Sequence, residues 1–181
     1  MRYVDTSLLV AALLNEKSTA VAQRWLGGQP AGELAISDWV ITEFSAALSM
    51  KLRTGELEPP QRNEVLAFFT RLTEASFHVL PVSRPDFQTA ARFADQYATG
   101  LRAGDALHLA IASHHGASLH TLDKRLVEIG QSLGVDAALG EAAGNEPEAG
   151  LRRAREHVAQ LVAIAEAPDR ANPIGNRIAK Q

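Results

Sequence analysis

The sequence predicts an α/β fold built on a parallel sheet. Short apolar runs alternate with amphipathic helical ones along most of the chain. Two of those apolar runs close on an aspartate, Asp5 and Asp123, where a strand gives way to a helix. The segment opening at Gly104 (DALHLAIASH, ending at His114) is apolar nearly all round, as expected of a helix packed in the middle of a layer. Composition agrees: of 181 residues, 46% are hydrophobic and 22% charged, the balance of a soluble globular domain. A chain of this length buries a sizeable core without disulfides or a structural metal.

The elements follow in order. Arg2 to Asp5 reads as a first strand, followed by a helix through Ser7–Leu14. Glu33 to Ser37 is a short second strand. Asp38 is placed to N-cap a helix with Val40, Phe44, Ala47 and Leu48 at helical spacing. Gly55 and the Pro59-Pro60 pair end that helix and start another through Phe68, Phe69 and Leu72. Phe77 to Val82 is a third strand, Pro85 to Tyr97 a further helix, and Gly104 to His114 the apolar one. Ser118 to Leu122 is a fourth strand, and Asp123 caps a helix with Leu126 and Ile129. Val135 marks where a short last strand would open, giving four strands or five. Beyond residue 139 the texture changes: residues 140–150 are a small-residue, acidic linker. Residues 151–181 then form a C-terminal extension, with an amphipathic helix expected over Leu151–Ala165.

Composition also excludes. Cys is absent, which removes thiol catalysis, zinc–thiolate sites, iron–sulfur clusters and disulfide scaffolds. Lys and Arg number 18 against 21 Asp and Glu, a net charge of −3, so no global basic field draws a polyanion. Such a partner must be held by a local patch or a metal ion. No apolar run reaches the roughly 20 residues a membrane span needs. Arg2, the apolar stretch Ser7–Leu14 and Ala20-Val21-Ala22 imitate a signal peptide, but Asp5, Asn15, Glu16 and Lys17 have the wrong chemistry for one. A bacterial-type cytoplasm is the expectation.

Four carboxylates stand out: Asp5 and Asp123 at strand ends, Asp105 opening the apolar helix, and Glu43 flanking the buried stripe of the second helix. In an open parallel sheet, ligands gather outside the carboxyl ends of the strands, and these four positions face that crevice. Taken singly each has a plainer reading, Asp5, Asp105 and Asp123 as helix N-caps and Glu43 as a solvated helix residue. Taken together they are four like charges in one place, and a hard divalent cation relieves their repulsion. Oxygen ligands with no Cys and no obligatory His select Mg²⁺ or Mn²⁺ over Zn²⁺. A metal-activated water aimed at a phosphate is the chemistry of hydrolytic nucleases.

With MRYVDTSLLVAALL, ITEFSAALSMK, RAGDALHLAIASHHG and LHTLDKRL in this order, residues 1–139 resemble the PIN domain family, specifically VapC-type toxins of bacterial toxin–antitoxin pairs. The resemblance implies a PIN-like three-layer α/β/α sandwich around the parallel sheet, and Mg²⁺-dependent endoribonuclease activity. It places the acidic quartet on Asp5, Glu43, Asp105 and Asp123, as catalytic and metal-holding residues. It also implies that Ser7 and Thr121 support the site, that a small antitoxin is a partner, and that the chain forms a homodimer. The extension after Gly140 departs from the usual toxin and inherits no role.

Arg102, Lys124 and Arg125 adjoin Asp105 and Asp123 in sequence and are candidates for RNA phosphate contacts; the alternative is solvated surface charge. His108, one turn after Asp105, reads as a hydrogen-bonded structural residue, because a metal-hydroxide mechanism needs no His. Rival phosphochemistries fail on residues. A haloacid-dehalogenase-type phosphatase needs Asp-x-Asp, and here the run is Asp5-Thr6-Ser7. A receiver domain needs an Asp after the third strand, and Val82-Ser83-Arg84 has none. A metal-dependent adhesion module needs Asp-x-Ser-x-Ser, and Leu9 takes the last place. Two alternatives remain: a non-catalytic PIN-like protein-binding module, or a PIN-type nuclease acting outside a toxin–antitoxin pair.

Overall fold

A computed structural model describes residues 1–141 of the chain. Five strands, β1 (Arg2–Val4), β2 (Leu34–Ser37), β3 (His78–Leu80), β4 (Ser118–Thr121) and β5 (Ala137–Leu139), form one sheet in the order β3-β2-β1-β4-β5. Every pairing is parallel, with Arg2 opposite Leu34 and Ser118, and Thr121 opposite Leu139. Parallel neighbours need crossovers. The path from β1 to β2 runs through α1 (Thr6–Leu13) and α2 (Thr19–Gly27), and from β2 to β3 through α3 (Asp38–Arg53) and α4 (Pro59–Ser76). The chain then returns through α5 (Arg84–Ala94), a 3₁₀ turn (Tyr97–Thr99) and α6 (Ala103–His114) to β4, and through α7 (Lys124–Ser132) to β5. Right-handed crossovers laid in opposite directions put helices on both faces, which gives the three layers. Between β1 and β4 the direction of travel reverses. That reversal is the switch point.

The core lies against the middle strands, where Tyr3, Val4, Ile36 and Leu119 are wholly buried. α6 is buried continuously from Ala106 to Ala112, as its all-round apolar sequence requires. Two local expectations change. Ser37, not Asp38, caps α3: its side chain accepts from the Val40 N–H, and Asp38 is the first helical residue. The stretch that imitates a cleavage site is α2, which buries Ala22, Trp25 and Leu26 against the core. Most of the 140–150 linker and the whole Leu151–Ala165 helix lie outside the described residues.

Candidate active site

Asp5 follows β1 at the switch point and serves two purposes. One carboxylate oxygen caps α1 by accepting from the Ser7 N–H at 3.2 Å. The other accepts from the Ser7 hydroxyl at 2.9 Å and from the Thr121 hydroxyl at the end of β4. Ser7 Oγ in turn accepts from the Leu122 N–H at 3.1 Å, and Thr121 Oγ1 from the Asp123 N–H at 3.1 Å. A lattice of short polar bonds thus ties the carboxyl ends of β1 and β4 and fixes a 93%-buried carboxylate. The two hydroxyls are where the sequence resemblance expects support.

Glu43 comes from α3. Its Oε2 accepts from the Thr6 hydroxyl at 2.8 Å and from His108 Nε2 at 2.6 Å. His108 is buried on α6, and its Nδ1 meets the Tyr3 hydroxyl at 2.9 Å, which itself pairs with Ser37 Oγ at 2.7 Å. His108 Nε2 also stands 3.6 Å from Asp5 Oδ1. Burial alone would depress the His108 pKa. The Glu43 hydrogen bond and the charges of Asp5, Glu43 and Asp105 outweigh burial and hold it above the ordinary imidazole range. Burial pushes Glu43 upward, and the hydrogen bonds from His108 and Thr6, the His108 charge and the neighbouring Trp39 indole pull it below the usual carboxylate range. The sequence pattern identified His108 as structural but gave no sign that it would bridge two of the acids, nor that Thr6 would hold Glu43.

Asp105, in the first turn of α6, is half-buried and is not a cap, since Arg102 holds the N-cap position. Burial raises its pKa, and the charges of Asp5, Asp123 and Glu43 raise it further, with His108 opposing. Among the described residues its carboxylate makes no hydrogen bond or ion pair. Asp123 is exposed and caps α7 through the Arg125 and Leu126 N–H groups. Asp5, Glu43 and His108 meet in one crevice, and the charges of Asp5, Asp123 and Glu43 are all felt at Asp105. Arg102 and Lys124 are exposed, whereas the Arg125 guanidinium donates to the Thr99 carbonyl at 2.6 Å and so pins the loop before α6.

The donor set fits a divalent cation. Asp5, Glu43 and His108 each bring one ligand atom within 4.8 Å of the others; Asp105 lies outside that group, a half-buried carboxylate with no partner among the described residues. Oxygen-rich donors of this kind suit a hard ion, and the imidazole widens the choice toward transition metals. An apolar cavity of about 310 Å³, lined by Ala12, Leu13, Leu26, Val65 and Phe68, sits at the other end of the sheet, where β2 and β3 begin. It takes no part in this crevice.

Solved structures repeat this architecture. FitAcB from Neisseria gonorrhoeae aligns with a TM-score of 0.58 at 18% identity, over 76% of this chain and 96% of its own. VapC20 of Mycobacterium tuberculosis, described as a sarcin-ricin loop cleaving toxin, gives 0.59 at 17%, over 75% and 96%. VapBC2 from Rickettsia felis, bound to a promoter DNA fragment, gives 0.54 at 16%, over 77% and 98%. At such identities the likeness is one of fold. No curated protein matches the sequence. The family model for the PIN domain matches residues 2–131, from the first strand into α7, with all four acids inside it. By that match, and with the five-stranded parallel sheet behind it, the chain belongs to the PIN domain family.

Proposed function

We propose that the crevice is the active site of a Mg²⁺-dependent endoribonuclease, with Mn²⁺ as the substitute ion, and that the chain is the toxin of a VapBC-type pair. The observation that carries the reading is the meeting of Asp5 and Glu43 with His108 at the switch point, held by Ser7, Thr121 and Thr6. When bound, the ion lowers the pKa of water and neutralises charge developing on a phosphodiester. Asp5 and Glu43 are rigid ligands because every donor around them is itself fixed. Asp105, half-buried and with no partner among the described residues, is the acid left to order the attacking water. Asp123 completes the quartet at the rim. Ser7 and Thr121 keep Asp5 from turning. Arg102 and Lys124 meet the RNA phosphates, and Arg125 shapes the loop between them.

Family membership supports nuclease chemistry, and solved relatives that are toxins or toxin–antitoxin complexes support an antitoxin partner. We assign the activity to residues 1–139, which hold all five strands and all four acids, and we place the protein in the cytoplasm as a homodimer. Among the described residues no helix is long and apolar enough to cross a membrane. The test is cleavage of a structured RNA by the purified chain, with and without Mg²⁺. Wild type should cut only with the ion, and Asp5→Asn and Asp105→Asn should each lose at least a hundredfold in rate. Equal degradation by wild type and variants, or none by either, overturns the nuclease. Growth arrest relieved by a short open reading frame immediately upstream tests the pairing, and an active enzyme without such a neighbour is a PIN nuclease of another kind.

A further inference from the structure

The two oxygens of Glu43 are treated unequally. Oε2 receives both donors, Thr6 and His108, and Oε1 receives neither. One turn earlier on α3, Trp39 has a buried indole N–H that makes no hydrogen bond among the described residues. Such a donor is costly to leave unpaired, so its surroundings call for a reason. They converge on Gly104, at the start of α6. A Cβ on Gly104 would stand 2.8 Å from Glu43 Oε1, 3.6 Å from Trp39 Cζ2 and 3.8 Å from Trp39 Nε1. Glu43 could not step aside, because swinging its carboxylate would break the bonds to Thr6 and His108.

We propose that Trp39 and Gly104 are positioning residues for Glu43: the indole N–H of Trp39 holds Oε1, and the missing side chain at position 104 leaves the space Oε1 occupies. The inference deepens the metal-site reading above and rests on it for its consequence. With Oε2 fixed by two donors and Oε1 steered by a third, the carboxylate presents one lone pair in one direction, which a rigid ligand requires. Gly104 also lets the first turn of α6 approach α3 closely enough to bring Asp105, the next residue, to the same place. Neither residue touches substrate, so both act through Glu43.

The full-length chain decides this by two measurements. The chain has two tryptophans, Trp25 and Trp39, and the indole N–H resonance of Trp39 is identified by its loss in Trp39→Phe. In the metal-free protein, Glu43→Gln should move that resonance and leave the Trp25 resonance in place. In Mn²⁺ titrations, Trp39→Phe should weaken binding about tenfold with the melting temperature retained, and Gly104→Ala should act in the same direction. On RNA, Trp39→Phe should lower kcat and spare KM. In a Glu43→Gln background, Trp39→Phe should add nothing further. A Trp39 resonance indifferent to Glu43→Gln, or wild-type Mn²⁺ affinity in Trp39→Phe, overturns the assignment. A wild type that binds no Mn²⁺ overturns the metal reading instead, while the resonance in the metal-free chain still decides whether Trp39 holds Glu43.

Discussion

Tyr3 shows how a buried polar side chain is kept from being a liability. Its hydroxyl lies between Ser37 Oγ and His108 Nδ1, and His108 passes the chain on to Glu43. With His108 neutral, Nε2–H donates to Glu43 and Nδ1 accepts from Tyr3; with it charged, Nδ1–H donates to Tyr3 and Tyr3 donates to Ser37. The network is satisfied in either state, so a charge change in the crevice orphans no buried atom. His120 is the opposite case. Its ring lies 4.7 Å from that of Trp25, and its buried Nδ1 has no partner. Burial, then the Arg2 and N-terminal charges, against a smaller pull from Asp136, depress its pKa to about 4. The unfolded chain therefore takes up this proton first as pH falls. The stability His120 contributes is intact above its unfolded value near 6.5 and is lost as pH drops toward 4. Urea unfolding at pH 7 and pH 4.5 should show His120→Gln losing less stability over that interval than wild type. At this scale the positions of Asp5 and Asp123 were legible because strand-closing Asp is a local pattern. Trp39, Thr6 and the bridging role of His108 were not, because each depends on which helix lies opposite.

Among the elements, α5 and α6 show how a single carboxylate joins two helices. Asp86 is buried, accepts from the Ser83 N–H and hydroxyl at 2.6 Å each, and reaches His114 Nδ1 at 2.7 Å. It closes the first turn of α5 and fastens the last turn of α6, the helix that carries Asp105 and His108. Burial raises its pKa, and the bonds from Ser83 and His114 lower it by more, so the charge is welcome where it sits. Asp86→Ala removes a cap and takes from Ser83 and His114 the buried carboxylate that joins them. It should cost about 2–4 kcal/mol in denaturant unfolding, with RNA cleavage falling as α6 loosens. The helix sequence of α6 announced itself through its continuous apolar run. α2 did not: it is short, its Ser18 cap makes no side-chain bond, and Gly27-Gly28 end it early. Its buried face is only Ala22, Trp25 and Leu26, too short a run to read as an amphipathic stripe.

For the whole molecule, the sequence pattern established alternation and hence a parallel sheet, but strand order is a property of pairing between distant segments and carries no local mark. Right-handed crossovers narrow the choices without selecting β3-β2-β1-β4-β5. On the proposed reading that order matters energetically, because it brings Asp5 and Glu43 together beside His108, where a divalent ion would stabilise them only in the folded state. At about one hundred times its Kd the ion should add about 2.7 kcal/mol, raising the melting temperature by about 5–10 °C. Calorimetry with and without Mn²⁺ should show that rise in wild type and its loss in Asp5→Asn. The same topology has a bearing on the protein's own birth. β1 waits for β4, and Asp5 waits for the Thr121 hydroxyl, across 116 positions of chain. A nascent polypeptide holds its first two acids long before translation reaches the other pair, and a copy that stops short of Ser118 has no strand to complete the switch point. On the proposed reading, abortive fragments are therefore inert, and a cutting edge forms only once nearly all of the folding unit has been translated.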